Sequence, residues 1–239
     1  MKIRYFQKGF NYSQDGTGNR LVVHLQGCNL RCPWCSNPEG ISVNGGKETT
    51  VEELVKEIGS CKRLFFDGGG VTFTGGECTV QKTALIEVLK GCKDLGVHTA
   101  IETNGTCVFD QELFSVVDLI ICDFKHHDKA KLESVVGKVG EYKENVKNYL
   151  ESGKKVLVRT VLINGFNAQE SDAVAFAEFF KDLCTENAEF EFLAYHEYGK
   201  GKWEKLNLPY EMENAFIDKK TLEYFERVYK QYNLKTIRS

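Results

Sequence analysis

Proline is scarce in this sequence, at 3 of 239 residues, and polar low-complexity tracts are missing. Both shortages argue against long disordered linkers and make one compact domain over residues 1–239 the expectation. No apolar run approaches the ~20 residues that span a bilayer. The opening stretch MKIRYFQKGFNYSQDGTG has no signal-peptide core. A cytoplasmic protein with no membrane partner is therefore expected. Basic excess is lacking too: 31 Lys and Arg face 34 Asp and Glu, a formal net charge of −3, so no broad field invites nucleic acid. Cysteine is the exception, with nine residues. An odd number without a secretory signal suits metal ligands and buried thiols better than a disulfide framework.

Two hydrophobic periods alternate along the chain. Strands are predicted at 21–25, 71–74, 99–103, 119–123, 156–162 and 189–193, with a last short one near Thr236. Helices are predicted at 51–58, 82–95, 111–116, 141–151, 172–184 and 220–232. Thr50 with Glu53 forms a capping-box pattern ahead of the first. Six strands separated by helices imply right-handed βαβ units and a parallel sheet, either open or barrel-like. Unusual polar residues gather where these strands end. The cysteine loop follows the first, Gly75-Gly76-Glu77 the second, Glu102-Thr103-Asn104 the third, Asp123-Phe124-Lys125 the fourth and Tyr195-His196 the sixth. Ligands of parallel α/β folds collect at that C-terminal edge, so one active site is expected there.

Cys28, Cys32 and Cys35 are spaced C-x3-C-x2-C on a loop at about 26–40. Three soft thiolates in that pattern suit an iron–sulfur cluster or another thiophilic metal. They leave one iron open to a cofactor. A structural zinc would need a fourth ligand, from Cys61, Cys78 or His24. Blander readings attach to the other groups. A Gly-Gly-Glu turn often only ends a strand, Glu102 and Asp123 suit loop edges, and a lone His196 more often packs than ligates. Cys61, Cys92, Cys107, Cys122 and Cys184 have no ligand spacing and read as structural thiols. FAEFF reads as a core stripe, and the lysine-rich stretch 126–148 as a solvated helical face.

GCNLRCPWCSNPEG and VTFTGGE, followed in order by IETNGT, DLIICDFKHHD, VRTVLINGFN and LAYHEYGKGKWEKL, resemble the radical S-adenosylmethionine superfamily. Among its members the set is most similar to the activating enzymes of glycyl radical enzymes, over nearly the whole chain. The resemblance implies an α/β fold, a partial (β/α)6 barrel of radical SAM type with parallel strands. It implies one [4Fe–4S] cluster on Cys28, Cys32 and Cys35, which are also the catalytic residues, and S-adenosylmethionine as the second cofactor. Trp34, Asn37, Gly75, Gly76, Glu77, Glu102, Lys125, Arg159 and His196 are implied to surround that cofactor. Glu102, Thr103 and Asp123 match a monovalent-cation site, for Na+ or K+, while Asp15 and Gly16 match a grip on the partner's glycine loop. The implied activity is reductive cleavage of the cofactor to a 5′-deoxyadenosyl radical, which takes a glycine Cα hydrogen from a glycyl radical enzyme. Electrons would come from a flavodoxin- or ferredoxin-type donor. Action on a small molecule, or another peptide modification, is the alternative; a non-catalytic electron carrier or zinc module is a third reading.

Three departures stand out from the family pattern. Glu102 replaces an aspartate, Cys78 follows the Gly-Gly-Glu turn where proline or alanine is common, and Thr17 and Asn19 alter the turn QDGTGNR. Cys78 is expected to be a small buried thiol. Only Cys61 lies between Cys35 and Gly75, which excludes a ferredoxin-like insert with auxiliary clusters.

Overall fold

A computed structural model of the chain describes residues 1–238. Its strands are β1 (Lys2–Tyr12), β2 (Asn19–Leu25), β3 (Lys47–Thr50), β4 (Gly70–Gly75), β5 (Thr99–Thr103), β6 (Leu119–Asp123), β7 (Lys155–Leu162), β8 (Ala188–Ala194) and β9 (Thr236–Ile237). Its helices are α1 (Val51–Ser60), α2 (Lys82–Asp94), α3 (Gln111–Val116), α4 (Lys129–Val136), α5 (Tyr142–Glu151), α6 (Glu170–Phe180), α7 (Lys200–Lys205) and α8 (Lys219–Gln231). The six expected strands are β2 and β4 to β8. The pattern missed β1 and β3, because β1 buries few of its side chains and so shows no clean alternation. It also missed α4 and α7. Helix α6 stops at Phe180, four residues before its expected end.

The chain forms two compact units, one of residues 1–29, 37–103 and 109–121, the other, within the described residues, of 30–36, 104–108 and 122–238. In the first, the strand order is β3-β1-β2-β4-β5. β1 runs antiparallel to both its neighbours, and β2, β4 and β5 are parallel. In the second, β7, β8 and β9 are parallel in that order. β6 begins in the first unit and ends in the second. β3 and β9 are edge strands with one neighbour each, so neither unit closes a barrel.

Period two sets the faces. Leu21 pairs with Val71 and Val23 with Phe73, while Val71 and Phe73 pair with Thr99 and Ile101. These form the core side of the first unit with Leu54 and Ile58 of α1 and Leu85 and Leu89 of α2, all buried. The opposite face of the same strands carries Arg20, His24, Thr72, Thr74 and Glu102. The second unit repeats the division. Phe190 and Phe192 of β8 meet Phe180, Phe225 and Tyr229 from α6 and α8 at ring separations of 4.7–5.3 Å. Arg159 of β7 and Glu191 of β8 sit in register on the other face.

Candidate active site

The cysteine loop has a closed neck. Gly27 N–H donates to the Gly40 carbonyl at 2.9 Å, and Cys28 N–H to Ile41 at 3.1 Å. Gln26 Nε2 adds bonds to the Glu39 and Ser42 carbonyls at 2.9 and 2.6 Å. The turn after β4 docks on this neck: Gly76 N–H donates to Leu25 and Glu77 N–H to Gly27, at 3.0 and 2.8 Å. Gly75 has φ +118°, and a Cβ on Gly76 would overlap the Gly27 and Gly40 carbonyl oxygens. Both glycines are therefore required by backbone approach. Asn37 precedes a short 3-10 turn, Pro38–Gly40, that returns the chain to the neck.

Glu77 is 1% exposed. Its Oε1 accepts from Thr79 N–H at 3.1 Å, Thr79 Oγ1 at 2.6 Å and Thr103 Oγ1 at 2.9 Å. Hydrogen bonds of this kind satisfy a buried carboxylate. Two expected site residues, Glu77 and Thr103, thus meet. Glu102 faces the other way along β5, where its Oε2 accepts from Thr74 Oγ1 at 2.7 Å. Cys78 is fully buried, its thiol 3.4 Å from the Glu102 carbonyl, as a structural thiol would be.

In the second unit the loop tip is pinned separately. Arg31 N–H donates to Val136, the Trp34 ring lies 5.0 Å from Phe166, and Cys35 N–H donates to Cys32 at 3.1 Å. Trp203 of α7 donates from Nε1 to the Cys35 carbonyl at 2.8 Å, and Gly199 admits that carbonyl because it has no Cβ. All nine cysteines are thiols, and Cys28, Cys32 and Cys35 are half-buried. Three soft donors on one anchored loop fit a [4Fe–4S] cluster. Phe124 is fully buried among Tyr142, Phe176, Phe179 and Phe180, so Asp123 and Lys125 on either side of it turn the other way and pair at 2.6 Å. Arg159 binds Glu191 at 2.7 Å. His196 stacks on Tyr198 at 4.0 Å, and burial lowers its pKa. Sequence reading missed Gln26, Thr79, Glu191 and Trp203, and Trp203 acts on a partner 168 residues away, beyond any local pattern.

His126, His127 and Asp172 are the one compact group of candidate metal donors among the described residues, within 4.8 Å of one another. Their hydrogen bonds assign them elsewhere. Asp128 N–H donates to His126 Nδ1 at 2.9 Å, so the ring proton sits on Nε2, 3.1 Å from the Phe166 carbonyl. A metal on Nε2 would meet that proton. Asp172 Oδ2 meanwhile caps α6 through Gln169 N–H at 3.0 Å. The stretch 126–148 is therefore not simply a solvated face: His126, Leu132, Tyr142 and Val146 are core.

Residues 22–177 match the Radical SAM superfamily. The pyruvate formate-lyase-activating enzyme of Clostridium pasteurianum is 38% identical over 222 residues, 91% of this chain and 92% of that one. Pyruvate formate-lyase 1-activating enzyme of Escherichia coli K12 is 34% identical over 232 residues, 93% of each. In fold the chain is similar to the crystal structure of QueE from Escherichia coli, with a TM-score of 0.60 at 14% identity over 100% of this chain and 94% of that one. In its α/β arrangement and mostly parallel, unclosed sheet the chain agrees with the expected radical SAM fold. Identity of 34–38% across nine-tenths of the chain narrows the assignment below the level of the fold, and the chain belongs to the radical SAM superfamily, within the family of pyruvate formate-lyase-activating enzymes.

Proposed function

We propose that this chain cleaves S-adenosylmethionine reductively and takes a Cα hydrogen from a glycine of a partner glycyl radical enzyme. The loop at 28–35 carries this reading, with three half-buried thiols at C-x3-C-x2-C spacing in a chain whose activating-enzyme relatives match along its length. Cys28, Cys32 and Cys35 would hold one [4Fe–4S] cluster, which would supply the electron for splitting S-adenosylmethionine into methionine and a 5′-deoxyadenosyl radical.

The chain's own part is positional. Glu77 presents to the cofactor's amine a carboxylate whose rotation three donors on one oxygen already restrict. Gly75 and Gly76 allow close backbone approach, and Trp34, Asn37, Glu102, Lys125, Arg159 and His196 are assigned to the rest of the cofactor. Glu102, Thr103 and Asp123 are assigned a monovalent cation, Na+ or K+. Asp15 and Gly16 receive the partner's loop. Hydrogen passes from glycine Cα to the 5′ carbon, leaving 5′-deoxyadenosine and a backbone radical on the partner. A flavodoxin- or ferredoxin-type donor returns the electron, and the setting is cytoplasmic.

The test uses protein reconstituted with iron and sulfide, reduced, and given S-adenosylmethionine with a glycyl-radical-loop peptide deuterated at the glycine Cα. Deuterium should appear in 5′-deoxyadenosine. Deuterium arriving only from a labelled small metabolite would replace this reading with a small-molecule radical SAM enzyme. Absence of any 5′-deoxyadenosine would leave a non-catalytic cluster protein.

A further inference from the structure

We infer that Arg20 and Thr72 are positioning residues for the partner, a hydrogen-bonded relay that shapes the turn at 15–18. The inference rests on the reading above that this turn receives the glycine loop.

Arg20 is fully buried, and a buried guanidinium is costly unless its donors and charge are met. Here Nε donates to Thr72 Oγ1 at 2.7 Å and Nη2 to the Val71 carbonyl at 2.7 Å. Nη1 donates to the Thr17 carbonyl at 3.3 Å, and both Nη atoms face His98 Nδ1 at 3.3 Å, which must accept because a guanidinium cannot. Burial lowers the Arg20 pKa to about 10, opposed by Asp15 and Asp118, so the group stays charged at neutral pH.

Thr72 completes a directed chain. Its hydroxyl accepts from Arg20 and donates to the Asp15 carbonyl at 2.7 Å. Both residues lie on the polar face of β2 and β4, so the relay runs along that face and ends on the turn. The turn is held on every side: a Cβ on Gly16 would come within 3.2 Å of Arg20 Cδ and Nε, and one on Gly18 would overlap the Phe66 carbonyl oxygen. Asn11 Nδ2 donates to the Asp15 carboxylate at 2.5 Å. Only a multivalent donor reaches Thr17, Thr72 and β4 at once.

Thr72→Val and Thr72→Ser separate the relay from packing, since valine keeps the shape and serine keeps the hydroxyl. Affinity of the reconstituted, cofactor-bound enzyme for a fluorescent glycyl-radical-loop peptide is read by anisotropy, without turnover. Loss of one such bond corresponds to roughly 10-fold weaker binding in Thr72→Val, with Thr72→Ser within about twofold of the parent. Arg20→Lys, which keeps the charge but not the fork, should weaken binding as Thr72→Val does, and it carries the comparison if Thr72→Val fails to fold. Equal affinities for parent, Thr72→Val and Arg20→Lys, alongside weakened binding in Asp15→Asn, would overturn the relay and leave the turn's role standing. Unchanged binding in Asp15→Asn would remove that role, and the relay with it.

Discussion

A carboxylate with three donors on one oxygen is a poor rotor, and Glu77 is in that state before any ligand arrives. Thr79→Val removes one donor without opening a cavity. It should raise KM for S-adenosylmethionine by roughly 3- to 10-fold, the range for one charge-assisted bond, with kcat changed less. Cys78→Ala should keep about four irons per chain, as one cubane requires, whereas alanine at Cys28, Cys32 and Cys35 together should lose them. Iron analysis after anaerobic reconstitution checks both. Cys92 gives a pH prediction. Burial pushes its thiol up to about 12, so it stays protonated in the fold, while an unfolded thiol ionises near ~8.5. Above ~pH 8.5 the unfolded state binds fewer protons than the fold, and stability falls as pH rises toward 12. Denaturant titrations of the parent and of Cys92→Ala at pH 7.5 and 9.5 should differ in that slope. Cysteine spacing was legible at this scale because ligand chemistry imposes it locally. Arg20 and Trp203 were not, because hydrogen-bond partners far away in sequence give them their roles.

Among the elements, α1 was the most legible. Thr50 Oγ1 accepts from Glu53 N–H at 3.1 Å and Glu53 answers to Thr50 N–H at 3.0 Å, the predicted capping box. Thr50→Ala should cost about 1 kcal/mol, read as a lowered denaturation midpoint. Strand β1 was illegible for a physical reason: its side chains are mostly exposed or half-buried, with a bulge between Tyr5 and Gln7, so no period survives. The glycines beside the loop were legible as a turn but not as a clasp. Gly76→Ala should force the turn off Gly27 and Gly40 and lower reconstituted iron content by more than half, where Gly201→Ala, with open space around its Cβ, should not.

For the molecule as a whole, stability should depend on pH through the histidine pair. Burial, the largest cause for each, lowers the pKa of His126 and His127 below the usual value. Both are neutral in the fold at pH 7, and the unfolded chain takes up protons near ~6.5. The stabilisation is present above that pH and is lost as pH falls through the lowered folded values. Melting temperature should therefore drop between pH 7 and 5.5, and less so in His127→Gln. On the proposed assignment of a monovalent cation to Glu102, Thr103 and Asp123, turnover should also need that cation. Equal rates in sodium, potassium and cation-depleted buffer would remove that assignment. The alternating architecture was legible where β4, β5 and β7 are each followed by a helix that buries apolar residues.

The closed neck beneath the cysteine loop bears on how metal is taken up. Its bonds, from Gly27 to Gly40, Cys28 to Ile41 and Glu77 to Gly27, run between backbone groups and need no iron. A zinc finger gathers its chain around the metal, so folding and loading are one event. Here the entropy of closing the loop is already met by the strands that carry it. Amide protons of Gly27, Cys28 and Glu77 should accordingly exchange slowly in protein stripped of iron. A cluster destroyed by oxygen would leave behind a folded receptacle, ready to be refilled without passing through the unfolded state.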